Sequence, residues 1–509
     1  MEPRFEPRIE PRIEPRIEPG VELARDADWR RLDTRMLLVH PVTELVRFLP
    51  LVIGVFVLGS GSDNGPWHWL GLAVPVAIGL IRFATTRFRI TTSQIELRRG
   101  IFGRSVLTAP LDRVRTVELT ASPIHRLLAL EKVEIGTGSA NRGKDGRLVL
   151  DSLGAAEARR LRVDLLHETR VESALPTPAP SAPVSLMAFD PGWVRFAPLT
   201  TSGLVIALAA IAASSQFLGA LIARTVTTSQ VGQRVRALPL VVTVPAGILT
   251  FLVVISMLAI VGYLVTNWGF TLTRDPEAGS FHIRRGALTT RETSIDQDRL
   301  RGLEIHEPLG LRLAGGGRLT AIVTGVNRRS QGSTPMVPPA PRTVVLSVGE
   351  RVLEEDGPLY ADLIQHGPAA RRRRLVRGTV PLAAVPLLLL VLDLTASWPL
   401  WPVLLAAPLP AIGLALGHDR YRRLGHALTP AYVVMRWGSL RGRRDALQRT
   451  GIIGWNVRQT FFQRRAGLVS LTATTAAGRQ SYEILDLPET WAAGFADAAV
   501  PGLVSQFLT

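Results

Sequence analysis

The chain has 509 residues, of which 47% are hydrophobic and 20% charged, yet it carries a formal net charge of +17. Soluble proteins hold roughly 25% charged residues, so this composition excludes general disorder and a single uniform soluble domain, and it implies that residue types are segregated along the chain. The absence of Cys excludes disulfides, Cys-ligated zinc, iron–sulfur clusters and thiol nucleophiles.

In chain order, residues 1–24 repeat Glu-Pro-Arg-Ile, as in Glu6-Pro-Arg-Ile9 and Glu10-Pro-Arg-Ile13. Proline every fourth residue blocks regular helix and predicts an extended or disordered tail. Phe48 to Ile81 carries one charge, Asp63, and its Ser60-to-Pro66 segment is dense in turn formers. Phe196–Ala223 and Ala237–Thr273 carry no charge at all, and Gly378–His418 carries only Asp393. A membrane-spanning helix needs roughly 20 apolar residues. The four stretches therefore predict six spans in three pairs, near 46–62, 67–83, 197–222, 240–265, 379–394 and 399–417. Transmembrane pairs fall at 40–84, 195–268 and 378–418. A Pro/Ala/Ser-rich linker covers 169–194, and a basic juxtamembrane segment covers 369–377.

Arginine placement sets the expected orientation. Arg25 to Arg47 precede the first span, Arg371-Arg372-Arg373-Arg374 and Arg377 precede the fifth, and Arg420, Arg422 and Arg423 follow the sixth, whereas the turns at 60–66 and 393–399 hold no basic residue. The positive-inside rule then puts both termini and the large polar blocks in the cytoplasm. The arginine run 371–374 with Arg377 is also the candidate contact for anionic headgroups. Nucleic acid is not an expected partner, because the charge is spread along span flanks with no recognition motif.

The polar blocks at 85–168, 269–368 and 424–509 share an order. Gln94-Ile-Glu-Leu-Arg-Arg-Gly100, Ser280-Phe-His-Ile-Arg-Arg-Gly286 and Tyr432-Val-Val-Met-Arg-Trp-Gly438 read as strands ending in a hairpin glycine. Asp112-Arg113, Asp298-Arg299 and Gln448-Arg449 follow. Next come Ser122-Pro-Ile-His125, Glu307-Pro-Leu-Gly310 and Gln459-Thr-Phe-Phe-Gln463-Arg464-Arg-Ala-Gly467-Leu468, then further strands and a helix at 154–167, 350–366 or 488–508. The same order three times, each after a span pair, indicates an internal repeat.

On these residues the chain resembles the YdbS/YdbT-like bacterial membrane proteins with bacterial PH-like (bPH2, DUF304) domains, in a three-copy form. The clearest carrier is Gln459, Gln463, Arg464 and Gly467 before a strand. Ala129 stands where the pattern has glycine in the first copy, and Leu311 where it has glutamine in the second. The resemblance implies three cytoplasmic PH-like β domains, each a bent antiparallel sheet or partial barrel with a C-terminal helix, joined to an α-helical membrane part. It carries over no catalytic residue and no cofactor. By analogy it suggests a scaffold at the membrane face, in envelope homeostasis or defence, with a protein partner or self-association through the PH-like domains.

No enzyme signature is found: the nine histidines form no ligand cluster, Gly315-Gly-Gly317 lacks the Lys-Ser/Thr of a phosphate loop, and no serine has a nucleophile-elbow context. The alternatives from other classes are a transporter or exporter subunit, with Thr200, Thr201, Ser202, Ser214, Ser215 and Gln216 lining a polar cavity, and a membrane enzyme acting on lipid. His418-Asp419 reads as a polar pair at headgroup level.

Overall fold

Alternating apolar and polar residues dictate most of the strands, and the computed structural model shows what they pair with. It describes residues 29–36, 85–91, 94–99, 105–110, 116–136, 147–167, 183–200, 239–324, 333–355, 357–396 and 398–503, together with 77, 81, 114 and 234. The chain divides into two units, residues 1–32 with 40–112, and residues 33–39 with 113–509.

In the first unit, β1 (Arg30–Arg31), β2 (Arg87–Ile90), β3 (Gln94–Arg99) and β4 (Ser105–Pro110) form one antiparallel sheet in that order. Phe88, Ile95 and Leu97 are buried. Arg89 and Arg98 hold their guanidinium groups 4.9 and 4.0 Å from the Trp29 ring, and Arg89 clasps Glu96 at 2.7 and 3.0 Å.

The second unit begins with β5 (Thr116–Ala121), α1 (Pro123–Leu127), β6 (Leu130–Gly136), β7 (Arg147–Gly154) and α2 (Ala155–His167). After β8 (Val184–Ala188), a 3-10 segment (Pro191–Leu199) and α3 (Leu240–Asn267) come β9 (Thr271–Asp275), β10 (Ser280–Arg285) and β11 (Thr290–Asp296). Then follow β12 (Leu300–Pro308), α4 (Leu309–Leu313), β13 (Gly316–Val323), β14 (Ser333–Pro341) and α5 (Arg342–Leu353). Helices α6 (Gly367–Ala396), α7 (Trp401–Ala406) and α8 (Leu409–Arg422) lead to β15 (Gly425–Leu428), β16 (Tyr432–Trp437) and β17 (Arg441–Gln448). The chain closes with β18 (Gly454–Arg458), α9 (Phe461–Arg464), β19 (Leu468–Thr474), β20 (Ser481–Pro488) and α10 (Glu489–Ala499).

Three strands, three more strands and a helix thus recur three times, at fixed spacing. Gln94, Ser280 and Tyr432 open the second strand of each set, each opposite the last residue of the third strand or its end, at Pro110, Asp296 and Gln448. Ladder irregularities fall at Glu131/Val133, Gly317/Leu319 and Val469/Leu471, and a left-handed residue precedes each of those strands, Ala129, Gly315 and Gly467. All three series keep one spacing, 186 residues from first to second member and 152 from second to third for the strand openings, bulges and left-handed turns alike.

The sets do not close on themselves as the sequence suggested. One sheet runs β7-β6-β5-β11-β10-β9-β8, the next β14-β13-β12-β17-β16-β15, and the last is β18-β19-β20. The second half of one set therefore shares a sheet with the first half of the next. The core of the middle set lies between two such sheets: Phe270, Leu272, Phe281 and Ile283 from one, Leu303, Ile305, Leu319 and Val337 from the other, with Val345, Leu346 and Val352 of α5 closing it. The third set packs Val433, Met435 and Leu447 against Leu471, Tyr482, Ile484 and α10 in the same way.

Three helices are long and apolar enough to cross a membrane: Val241–Asn267, Gly367–Ala396 and Trp401–Arg422. Most of their apolar side chains are exposed, Val242, Phe251, Leu387, Val391 and Leu404 among them. A helix that is apolar all round and unburied by protein calls for lipid around it. These helices correspond to the expected spans at 240–265, 379–394 and 399–417. Those at 46–62 and 67–83 lie outside the described residues but for 77 and 81. Of 197–222, residues 197–199 end the 3-10 segment, whose Trp193, Phe196 and Ala197 are buried in the protein core, and the rest beyond Thr200 lies outside the described residues.

Several boundaries differ from the sequence reading: the linker expected over 169–194 holds strand β8, paired with β9, and the start of the 3-10 segment, and the last helix ends at Ala499 instead of 508. The middle terminal helix is Arg342–Leu353 and not 350–366, because the proline-rich run 335–341 ends as edge strand β14 and Glu354 turns left-handed after one helix of 12 residues. The basic juxtamembrane segment 369–377 is the first part of α6.

Candidate functional site

Helix α6 carries its arginines into the apolar run without a break, so their heads are fixed by helix geometry. Arg373 and Arg374 both reach Asp486, a carboxylate with no exposed surface, with Arg374 at 2.6 Å. Asp486 sits in β20 at a φ of +55°. Its Oδ1 also accepts from Gln463 Nε2 at 2.9 Å. Gln463 is held in turn by a capping box at the start of α9, where Thr460 N–H donates to its Oε1 at 3.0 Å, and it donates to Ser470 Oγ at 2.8 Å. The Gln459-to-Gly467 motif is thus the clamp that ties the third set to the root of α6. A charge pair this well buried and hydrogen-bonded is costly to break from one side, since the remaining charge is left without a partner.

Above this clamp lies a cavity of about 600 Å³. Arg373, Arg374, Arg377, Arg420, Arg441 and Arg458 line it, against the carboxylates of Glu483 and Asp486. Asp486 is already taken by two arginines. Arg377, Arg420, Arg441 and Arg458 make no ion pair among the described residues, which leaves an excess of positive charge facing the space. Arg377 is one residue before the apolar part of α6 and Arg420 lies near the end of α8, so the basic ends of both helices contribute to the lining. The hairpin turn at Gly438, with φ +95°, brings Ser439, Leu440 and Arg441 to the rim, and a Cβ there would collide with the Arg441 carbonyl. Beside the cavity, Phe461 and Phe462 of α9 are 65% and 73% exposed.

The two close-packed helices under the cavity are held by glycine. A Cβ on Gly417 would lie 2.9 Å from the Arg374 carbonyl oxygen, and one on Gly378 3.0 Å from Gly417 Cα. Asp419 of α8 is engaged by Arg312 at 2.9 Å and by Ser439 Oγ at 2.7 Å, which anchors the end of α8 to α4 and to the Gly438 turn. Among the described residues no group of His, Asp or Glu is placed to hold a metal.

A second polar cluster lies at the joint between the middle and third sets. Glu304 of β12 stands opposite Asp445 of β17, both buried. Arg443 donates to Glu304 at 2.8 Å and Arg479 to Asp445 at 2.9 Å. Burial, and then the neighbouring Glu304 carboxylate, push Asp445 up to about 7. Desolvation, with Arg318, Arg443 and Arg479 nearby, holds His306 far below its ordinary value.

Of the sequence-predicted residues, Gly100, Asp112 and Arg113 lie outside the described residues. Gly286 (φ +109°) and Gly438 make the hairpin turns, where only glycine fits. Asp298 is exposed, and the residue that caps the 3-10 turn and takes Arg299 at 3.2 Å is Asp296. Arg449 occupies the position of Gln297, not that of Arg299, and donates to the carbonyls of Pro430, Ala498 and Ala499. Gln459 donates to Leu468 O and to Glu489, and Arg464 is exposed at the end of α9. Arg371 and Arg372 are exposed, whereas Arg373 and Arg374 are committed to Asp486, so of the five proposed headgroup contacts only Arg377 both lines the cavity and stays free of a carboxylate. Thr200 donates to Ala197 O, and the other five residues of the transporter signature lie outside the described residues. Sequence reading missed Asp486, Arg441 and Arg458, and took Arg420 only as a flank of the last span: nothing in local spacing links them to residues as much as 113 positions away.

The family model described as the bacterial PH domain matches residues 44–169 and 380–493, which cover the first and third sets with the apolar stretches before them. No curated protein and no solved structure matches the chain.

Proposed function

We propose that this is a non-enzymatic, multi-pass membrane protein that carries three PH-like sets as one scaffold on the cytoplasmic face of a bacterial membrane, and that the third set seats on an anionic lipid headgroup. The arginine-lined cavity at the root of α6 and α8 carries this reading. Its volume suits a headgroup, guanidinium forks match phosphate oxygens, and the exposed Phe461 and Phe462 beside it support contact with a membrane surface. The scaffold role is supported by the shared sheets, which make the middle and third sets one rigid piece. The middle set enters on its strand order and spacing, since the family match covers the other two.

The test is lipid retention by the full chain reconstituted in nanodiscs, read by native mass spectrometry. Phosphatidylglycerol is expected to be held over phosphatidylcholine. Replacing Arg441 and Arg458 by Ala removes two exposed charges worth about 1 kcal/mol each near a membrane surface, so retention should weaken about 10- to 30-fold. Equal retention of both lipids, or no change in the double variant, would overturn the headgroup role.

A further inference from the structure

The two joints between sets are built identically. In the first, Thr116↔Ile295, Val117↔Ser294, Glu118↔Thr293 and Leu119↔Glu292 pair across β5 and β11. In the second, Gly302↔Leu447, Leu303↔Ala446, Glu304↔Asp445 and Ile305↔Arg444 pair across β12 and β17. Every member of the second joint is the repeat equivalent of its counterpart in the first, so the register is the same to the residue. Even the ion pair recurs, Arg291 with Glu118 at 2.5 Å and Arg443 with Glu304 at 2.8 Å.

Each set thus offers two complementary edges, and in a series of three the first and last edges stay open. Those are β4 and β18, which are terminal strands of their sheets and pair on that side with no strand among the described residues. The positions that the joints bury are uncovered there. Val457 is 59% exposed, whereas its equivalents Leu119 and Ile305 are 2% and 1% exposed. Thr108 is exposed, whereas Ser294 and Ala446 are buried. The β4 residues 105–110 carry no charge, and an uncharged open edge is a template for another strand. The two members of the recurring ion pair are absent from both ends together: Asn456 stands for the glutamate and Ser105 for the arginine. Pairing these edges therefore strands neither member of that ion pair, and the one charged residue of the two strands, Arg458, is exposed.

We infer that β18 of one chain pairs with β4 of a second copy of the same chain, antiparallel and in the register of the internal joints. That register sets Gly454 opposite Ala109, Trp455 opposite Thr108, Asn456 opposite Leu107, Val457 opposite Val106 and Arg458 opposite Ser105. The contact is heterologous, so it propagates head to tail and closes only as a ring. It rests on the sets forming one scaffold; β18 also carries Arg458 of the headgroup cavity, so the test is placed at Val106 and Val457, which do not line that cavity, and has a different readout.

The chain has no cysteine, so introduced thiols are the only ones present. Full-length V106C with one tag and V457C with another are co-expressed in membranes and oxidised mildly. Directly opposed residues of an antiparallel pair lie within disulfide reach, so a product bearing both tags is expected. N456C offers an exposed thiol one register step away, on the other face of the strand, and should give little product with V106C. The unmodified chain in detergent should scatter light as a multiple of its 55.4 kDa mass, with no loss in high salt. Failure to form the two-tag product, equal yield from N456C, a V106C/V457C double variant that closes within one chain, or a strictly monomeric unmodified chain would each overturn the inference.

Discussion

Asp445 and Glu304 are two carboxylates set face to face in a buried sheet, with Arg443 and Arg479 bonded to them and Arg318 and His306 alongside. Two like charges in a low-dielectric site cannot both ionise cheaply. The folded protein therefore holds a proton on Asp445 up to about 7, above the value of the unfolded chain. A group raised in this way stabilises fully below its unfolded value, and the contribution is lost as pH rises through the folded value. Asp445→Asn keeps the acceptor for Arg479 and removes the titration. Thermal unfolding in detergent should show the variant gaining on the parent as pH goes from about 5 to 8; a difference between the two that does not change with pH would show that Asp445 is ionised throughout. The equivalent pair in the other joint is Glu118 with Thr293, which lacks the second carboxylate.

At the scale of elements, the membrane helices and most strands were legible because their signals are local. Runs with no charge or with Asp393 alone announced α3, α6 and α8, and alternation ending in glycine announced β10 and β16 with their hairpins. Ala129 shows how far the pattern holds: it keeps the left-handed turn that Gly315 and Gly467 make, at a cost of about 1–2 kcal/mol for a residue with a Cβ. What could not be read was partnership. Strand alternation says which face is buried but not which strand lies alongside, so sheets shared between sets had no sequence signal. The α6–α8 contact was hidden for the same reason, since Gly378, Gly413 and Gly417 look like ordinary small residues in an apolar run. Small residues let helix backbones approach in lipid. Gly413→Val should force the pair apart and cost about 1–3 kcal/mol, read as a lowered unfolding temperature in detergent, with lipid retention falling as Arg377 and Arg420 separate. The lipid-facing change Leu414→Ala should stay within about 0.5 kcal/mol. Equal effects from both would mean that the glycines are not at a tight contact.

At the scale of the whole molecule, the candidate site was half legible. The arginine cluster at 371–377 and the Gln459-to-Gly467 motif stood out, but their meeting at Asp486 depends on the fold. The same arrangement fixes which ends of the helices share a side. Helices α6 and α8 run antiparallel, with Arg374 beside Gly417 and Gly378 beside Gly413. Their arginine-bearing ends, and the third set bonded to them, therefore lie together, while the turn with exposed Trp398 and Trp401 lies at the far end. Helix α3 enters β9 directly at its C-terminal end, and Tyr263 Oη donates to Pro339 O in the middle set at 2.8 Å. Basic flanks face the cytoplasm, so reporter fusions after residues 150, 330 and 509 should give a cytoplasmic signal and those at 64, 230 and 396 an external one. The fusion at 396 discriminates most sharply, because the turn follows a helix whose opposite end is pinned to Asp486. A cytoplasmic signal there would mean that α6 does not cross the bilayer, and the arginine cavity would then have no membrane surface to face.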